Sequence, residues 1–235
     1  LLALSLVLAA CGNDDDEADS TTTTTVASTT STTAGLKSDS KVALALDDSI
    51  LTAAEVKAAL GLSAEPTVYQ GNGTTPPPPQ GPLSLDGVAK VFPDPAYKGL
   101  LEQGQASVGA NKTYLVVVGQ GGYVVNVLAV KFKDATTGGT FVQAATQVAT
   151  TFGGAKTNAH TEVKIGVTPG AVLVVPPAAG SQNETVVTSA LYSDGVYYLV
   201  SGAAPPGTVK DELVIKLLTA QDAKYQSKKS SIPAS

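Results

Sequence analysis

Arginine is absent from this chain; all 15 basic residues are lysines. Arginine is the usual bidentate donor to phosphate and guanine. A chain without it, at net charge −5, lacks the basic footprint of a nucleic-acid binder. Cysteine occurs once, at Cys11, so no disulfide can form within the molecule. Histidine occurs once, at His160. One histidine and one cysteine cannot supply the three or four ligands of an ordinary zinc site. No Gly-x-Ser-x-Gly elbow is present, which leaves His160 without a nucleophile to serve. Tryptophan and methionine are missing, and only 4 Phe and 8 Tyr supply large side chains. No apolar run approaches the roughly 20 residues that span a bilayer as a helix.

The one apolar run is Leu1 to Ala10, broken only by Ser5. It has the length of a secretory signal h-region. It ends in Leu8-Ala9-Ala10-Cys11-Gly12, which resembles the bacterial lipobox. The resemblance implies a diacylglyceryl group on Cys11 and cleavage between Ala10 and Cys11. No Met or basic n-region precedes the run, so the expectation is a leader truncated upstream. Two or more acyl chains on one residue hold a protein stably at a membrane.

Composition then changes abruptly. Asp14, Asp15, Asp16, Glu17 and Asp19 crowd beside Cys11, and Thr21 to Thr33 is nearly pure Thr/Ser. Such a segment buries too little apolar surface to offset its ordering entropy. The acidic cluster lacks the turn glycine and distal glutamate of a calcium loop. Residues 1–40 hold six acids against Lys37, so the formal charge sits on the tether, and residues 41–235 are neutral. The expected organisation is a signal peptide over 1–10, a lipidated and disordered tether over 11–45, a globular domain over 46–227 and a flexible tail over 228–235.

Within the globular part, Thr52-Ala53-Ala54-Glu55 reads as a helix-opening capping box, with Leu51 and Val56 as its hydrophobic staple. Gly61 closes that helix. Gly71 to Pro82 interrupts everything, with four consecutive prolines from Pro76 to Pro79 that favour an extended conformation. This loop reads as a stiff surface segment or as a ligand for a partner's aromatic groove. Thr113 to Val118 and Tyr123 to Phe132 are β-branched and aromatic strands around Gly119-Gln120-Gly121-Gly122. That glycine loop is followed by strand rather than helix, so it presents no helix N-terminus to a phosphate, and no cofactor is expected. Thr140 to Phe152 has helical spacing. Thr161–Val167 with Ala171–Val175, and Thr185–Tyr192 with Val196–Gly202, read as two further hairpins. A last helix is expected to open at Thr208 with Asp211 as its capping partner. Hairpins outnumber crossovers, so the expectation is a single α+β domain: a mostly antiparallel sheet with about three packed helices.

The opening Ile50-Leu51-Thr52-Ala53-Ala54-Glu55-Val56, then Val91-Phe92-Pro93 with Tyr97, then Ala129 to Ala135 entering a helix with Phe141, resemble the PknH-like extracellular sensor domains of actinobacteria. The closing Gly195 to Val200 strand and final helix extend the resemblance over residues 46 to 225. That family's disulfide-forming cysteines are missing here. The element order also resembles the Mog1/PsbP-like lipoproteins. Both resemblances imply ligand or partner binding at a cleft and bring no catalytic residues.

Three functions follow as expectations. The first is a non-catalytic lipoprotein on the outer face of the membrane, binding a small apolar or cell-envelope ligand. The second is an interaction protein docking an envelope partner through the proline-rich loop. The third is a hydrolase using two of the carboxylates Asp47, Asp48, Asp86, Asp94, Asp134, Glu162 and Asp194. The anchor is tested by Cys11→Ala: the variant is expected to leave the membrane fraction and lose incorporation of labelled fatty acid. A variant still sedimenting with membranes would remove the lipid from the account.

Overall fold

The two most β-branched runs of the sequence form one long hairpin in the sheet. The computed structural model describes residues 39–71, 76–92, 94–119, 121–159, 165–167, 171–177 and 182–234. The elements begin with α1 (Asp39–Ser49), α2 (Ala53–Leu60), β1 (Thr67–Val68), β2 (Gly81–Ser84), α3 (Leu85–Ala89) and α4 (Ala96–Gln103). The hairpin follows as β3 (Ala106–Val118) and β4 (Gly121–Phe132), and then α5 (Ala135–Thr151). The rest is β5 (Lys156–Ala159), β6 (Ala171–Val175), β7 (Glu184–Leu191), β8 (Val196–Ala204) and α6 (Asp211–Lys228). The sheet has 8 strands in the order β1-β3-β4-β8-β7-β6-β5, with β2 also on β3, and every pairing is antiparallel.

Alternation along the strands sorts the core into two faces. Val125, Val127 and Ala129 of β4 and Tyr198 and Val200 of β8 are buried with α1, α2 and α6. Leu128, Val130 and Phe132 of β4 and Tyr197 of β8 are buried with α3, α4 and α5. The fold is therefore a helix–sheet–helix sandwich.

β1 and β2 cover the outer edge of β3 one after the other, with Thr67 opposite Leu115 and Gly81 opposite Asn111. The Gln80 side chain closes the gap between them. Its Oε1 accepts from Thr113 N at 3.3 Å and its Nε2 donates to Tyr69 O at 3.0 Å. An exposed strand edge is thereby blocked without a full strand. Pro76 and Pro77 are exposed and Pro78 and Pro79 half-buried, so the proline run lies along this seam.

Several expectations need correction. The α+β class and antiparallel sheet are as expected, and among the described residues six helices accompany the sheet where about three were expected. Helix α1 starts inside the stretch that composition assigns to the tether, and it buries Val42, Ala43 and Leu46. Short α3 and α4 lie in a proline-punctuated stretch that hides helical periodicity. The partner of β6 is Lys156–Ala159, which carries no apolar alternation. Residues 161–164 lie outside the described residues, and Val167 N donates instead to Leu191 O at 2.7 Å. The last helix starts at Asp211, behind Lys210 and with no side-chain cap. Thr208 N is taken by Pro205 O in the preceding turn, and Asp211 receives Asn158 Nδ2 at 2.9 Å. The tail includes a 3-10 turn over Lys229–Ser231 that buries Ile232 against the α1 side.

The capping box at Thr52 and Glu55 is present, and Gly61 closes α2 in the left-handed region at φ 65°. The corner between α1 and α2 is buried, so its backbone needs partners. Gln221 Nε2 donates to Ser49 O at 2.7 Å, and Leu51 N donates to Gln221 Oε1 at 3.1 Å. Lys224 Nζ donates to Ile50 O at 2.8 Å, and Tyr114 OH donates to Leu51 O at 2.8 Å. Gln221→Leu strands one buried donor and one buried acceptor, each worth ~1–3 kcal/mol. The expected result in urea unfolding is a stability loss of about 2–4 kcal/mol with an unchanged m-value.

Candidate functional site

Between α5 and the sheet lies a cleft of about 320 Å³. Its floor is made by the residues of β4, β8, β7 and β6 that point toward α5: Asn126 and Leu128, then Tyr197, Leu199 and Ser201, then Thr185, Val187 and Ser189, then Leu173 and Val175. Its roof is one face of α5, formed by Phe141, Val142, Ala145, Thr146 and Ala149. Val91, Phe92 and Tyr97, from the end of α3 and from α4, close one end.

The sequence explains why this volume stays unfilled. Asp134 caps α5 and accepts from Thr137 N at 2.9 Å, while Thr137 Oγ1 returns the bond to Asp134 N. Four residues on, Gly138 lets the helix sit against the sheet, since a Cβ there would fall 2.7 Å from Leu191 Cδ1. Beyond Phe141 the roof residues Val142, Ala145, Thr146 and Ala149 are small, and the strands beneath mix Ser, Thr and Val with Leu128, Leu173 and Leu199. The roof there brings no large side chain down to meet the floor.

An aromatic cluster forms the closed end. Phe92 stacks on Tyr97 with centroids 4.5 Å apart and planes 3° from parallel. Phe141 meets Tyr197 edge-on at 5.7 Å and lies 5.2 Å from Phe132. Such pairs add to burial and fix each ring's orientation. Burial pushes the Tyr197 phenol up to about 12, against a Ser189 hydrogen bond that works the other way. Burial also drives Tyr97 above its ordinary range, with Tyr197 and Asp94 adding to the effect. Both phenols are neutral at physiological pH.

Among the described residues, no acidic or basic side chain lines the cleft. The carboxylates considered as hydrolytic candidates are placed elsewhere. Asp47 faces Lys112 at 3.5 Å, and Asp86 pairs with Lys98 at 2.8 Å on the surface. Asp48 is exposed. Asp94 accepts from Ala96 N at 2.8 Å, and Asp134 caps α5. Asp194 accepts from Val196 N and from Tyr225 OH on the opposite face of the sheet. Glu162, His160, Ala10 and Cys11 lie outside the described residues. Among the described residues no cluster of three metal-ligating side chains occurs, and no helix is long and apolar enough to cross a membrane.

Sequence reasoning missed the cleft's polar residues. Asn126 was the visible signal: it interrupts the apolar run Tyr123 to Val130 at a position that alternation turns toward α5.

A phenol held above its unfolded pKa of roughly 10 binds its proton more tightly in the folded state. Its contribution to stability is complete below pH ~10 and is lost as pH rises toward about 12. Alkaline titration is therefore expected to raise the tyrosinate absorbance of Tyr97 and Tyr197 together with loss of circular dichroism. Ionisation of both phenols ahead of unfolding would contradict their burial.

No family model matches the chain, and no curated protein matches it. Among solved structures the chain is similar to the extracellular domain of PknH from Mycobacterium tuberculosis, at 14% sequence identity and a TM-score of 0.47, over 77% of this chain and 95% of that one.

Proposed function

We propose that this domain binds a neutral, mostly apolar small molecule in the cleft between α5 and the sheet, without chemically altering it. The observation that carries the reading is the cleft itself: about 320 Å³, walled by apolar and aromatic side chains, with hydroxyl and amide groups on its floor and no charged side chain among the described residues of its lining. Ligand sites are typically concave and apolar, with a few placed polar groups. A charged ligand would lose its hydration there with nothing of opposite sign among the described lining residues to meet it. Those residues include no carboxylate, histidine or lysine for acid–base chemistry.

The same proposal places the domain outside the cytoplasm, on a lipid carried by Cys11. The lipobox-like Leu8-Ala9-Ala10-Cys11 and the Thr-rich stretch after it support this part.

The test uses the full chain and N-phenyl-1-naphthylamine, a neutral dye that brightens in apolar surroundings. Saturable binding of one dye per chain is expected. Its anionic sulfonate analogue is expected to bind at least about tenfold more weakly, because its charge must be desolvated. Ala145→Phe places a ring in the roof and is expected to abolish dye binding with the far-ultraviolet spectrum and Tm retained. An absence of saturable binding, or binding unchanged in Ala145→Phe, would sink the proposal.

A further inference from the structure

The floor of the cleft holds one amide whose orientation is dictated from outside it. Pro79 O accepts from Asn111 Nδ2 at 2.8 Å. A carbonyl oxygen can only accept, so the amide of Asn111 must turn its nitrogen toward Pro79. The same Nδ2 donates its second hydrogen to Thr113 Oγ1 at 3.3 Å. The Thr113 hydroxyl then donates to Asn126 Oδ1 at 2.8 Å. Asn111 and Thr113 are both buried, so water does not compete along this relay. Asn111 Oδ1 has no partner among the described residues, and the direction of the relay rests on Nδ2 alone.

The relay runs one way and ends at Asn126. With Oδ1 occupied from the β3 side, Nδ2 is the end of that amide with no partner among the described residues. Ser201 stands directly opposite Asn126 on β8, where facing side chains are neighbours, and it also lines the cleft. The two residues therefore offer an amide donor and a hydroxyl side by side. The floor around them is Leu128, Leu199 and Val187.

Resting on the reading of the cleft as a ligand site, we infer that the ligand carries an uncharged carbonyl oxygen, and that its class is a single-chain acyl ester or amide. The carbonyl seats on Asn126 Nδ2 and the Ser201 hydroxyl, and the chain runs over the apolar floor toward Phe92 and Phe141. A carboxylate would meet the same two donors, but it would bring a charge into a lining that has no cation among the described residues. An alkane of equal length would fill the space and leave the Asn126 donor unpaired, and an ether offers only a weaker acceptor, set back from the carbonyl oxygen's position; both cost affinity. The volume, at the small end for ligand pockets, suits one chain rather than two.

The experiment is displacement of N-phenyl-1-naphthylamine from the full chain by three compounds of equal chain length. These are 1-monolauroylglycerol, its carbonyl-free ether 1-O-dodecylglycerol, and laurate above pH 7. The ester is expected to displace the dye about tenfold better than the ether, as one hydrogen bond to a buried donor allows, and laurate is expected to be weaker still. Asn126→Leu is expected to bring the ester down to the level of the ether, each compound's displacement being read against the dye affinity measured for that variant. Thr113→Val keeps Asn126 and its size but frees the amide to turn, so it is expected to remove roughly half of the ester's logarithmic advantage. Equal displacement by ester and ether overturns the inference. So does an Asn126→Leu chain that still prefers the ester, or a laurate that matches it. Failure of the dye to bind the unaltered chain overturns the cleft as a ligand site, and a bound dye with no ester preference overturns only the carbonyl seat.

Discussion

Three successive backbone carbonyls, those of Ser49, Ile50 and Leu51, face inward at the corner between α1 and α2. Each is met by a side chain from a distant part of the chain: Gln221, Lys224 and Tyr114. Unmet, each would carry the full cost of a dehydrated polar group. Met, they pin α1 and α2 to α6 and to β3 with bonds that tolerate little displacement. Glu55 strengthens the same junction, since its carboxylate serves both the Thr52 cap and Lys224. The helix layer on this face is thus fixed by directed bonds as well as by apolar contact. Tyr198 adds to it from the sheet, through its hydroxyl contact with Ser49.

That rigidity permits the other face to be underfilled. A void in a protein interior forfeits dispersion contacts and destabilises the fold roughly in proportion to its size. Here α5 is held close at one end by Gly138 and the Phe132–Phe141–Tyr197 cluster, and the small residues at its other end leave the cleft. Phe132 touches both Phe141 and Tyr197, so the cluster ties helix to sheet where the cleft ends. The filled interior lies on one face of the sheet and the cleft on the other. The division follows from strand alternation: Tyr198 and Val200 go to the packed side, while Tyr197, Leu199 and Ser201 go to the cleft.

The parts legible in the sequence were those whose signal is local. Thr52 and Glu55 name a helix start because both bonds of the box lie within three residues. The β7–β8 hairpin is legible because its strands flank a three-residue turn, and β4 because its run of β-branched residues is long. Where tertiary contact decides, the sequence is mute. Helix α1 has no apolar stripe strong enough to stand out beside the Thr-rich stretch, and it is ordered by what it packs against. Lys156 to Ala159 is a strand because β6 offers it an edge. Asp211 looked like a cap and instead meets Asn158, 53 positions away. The cleft was illegible for the same reason: it is made of small residues, which read as filler until four strands and a helix bring them together.

The proline-rich loop shows how far a local reading can fall from a residue's structural role. Four prolines in a row present no N–H donors, and their fixed φ holds the backbone stiff. In the sequence these properties suggest a stiff surface segment or a ligand for a partner's aromatic groove. In the fold they make Pro79 O a fixed, accept-only point beside a buried strand. Asn111 must orient to it, Thr113 to Asn111, and Asn126 to Thr113. Gln80, the residue after the run, meanwhile completes the hydrogen bonding of the β3 edge that carries two members of this chain of contacts. A donor is fixed at the floor of the cleft by a surface segment that never reaches it. A strand of apolar residues alone could have closed the same space, but it would have left no donor at the cleft for the carbonyl proposed to seat there.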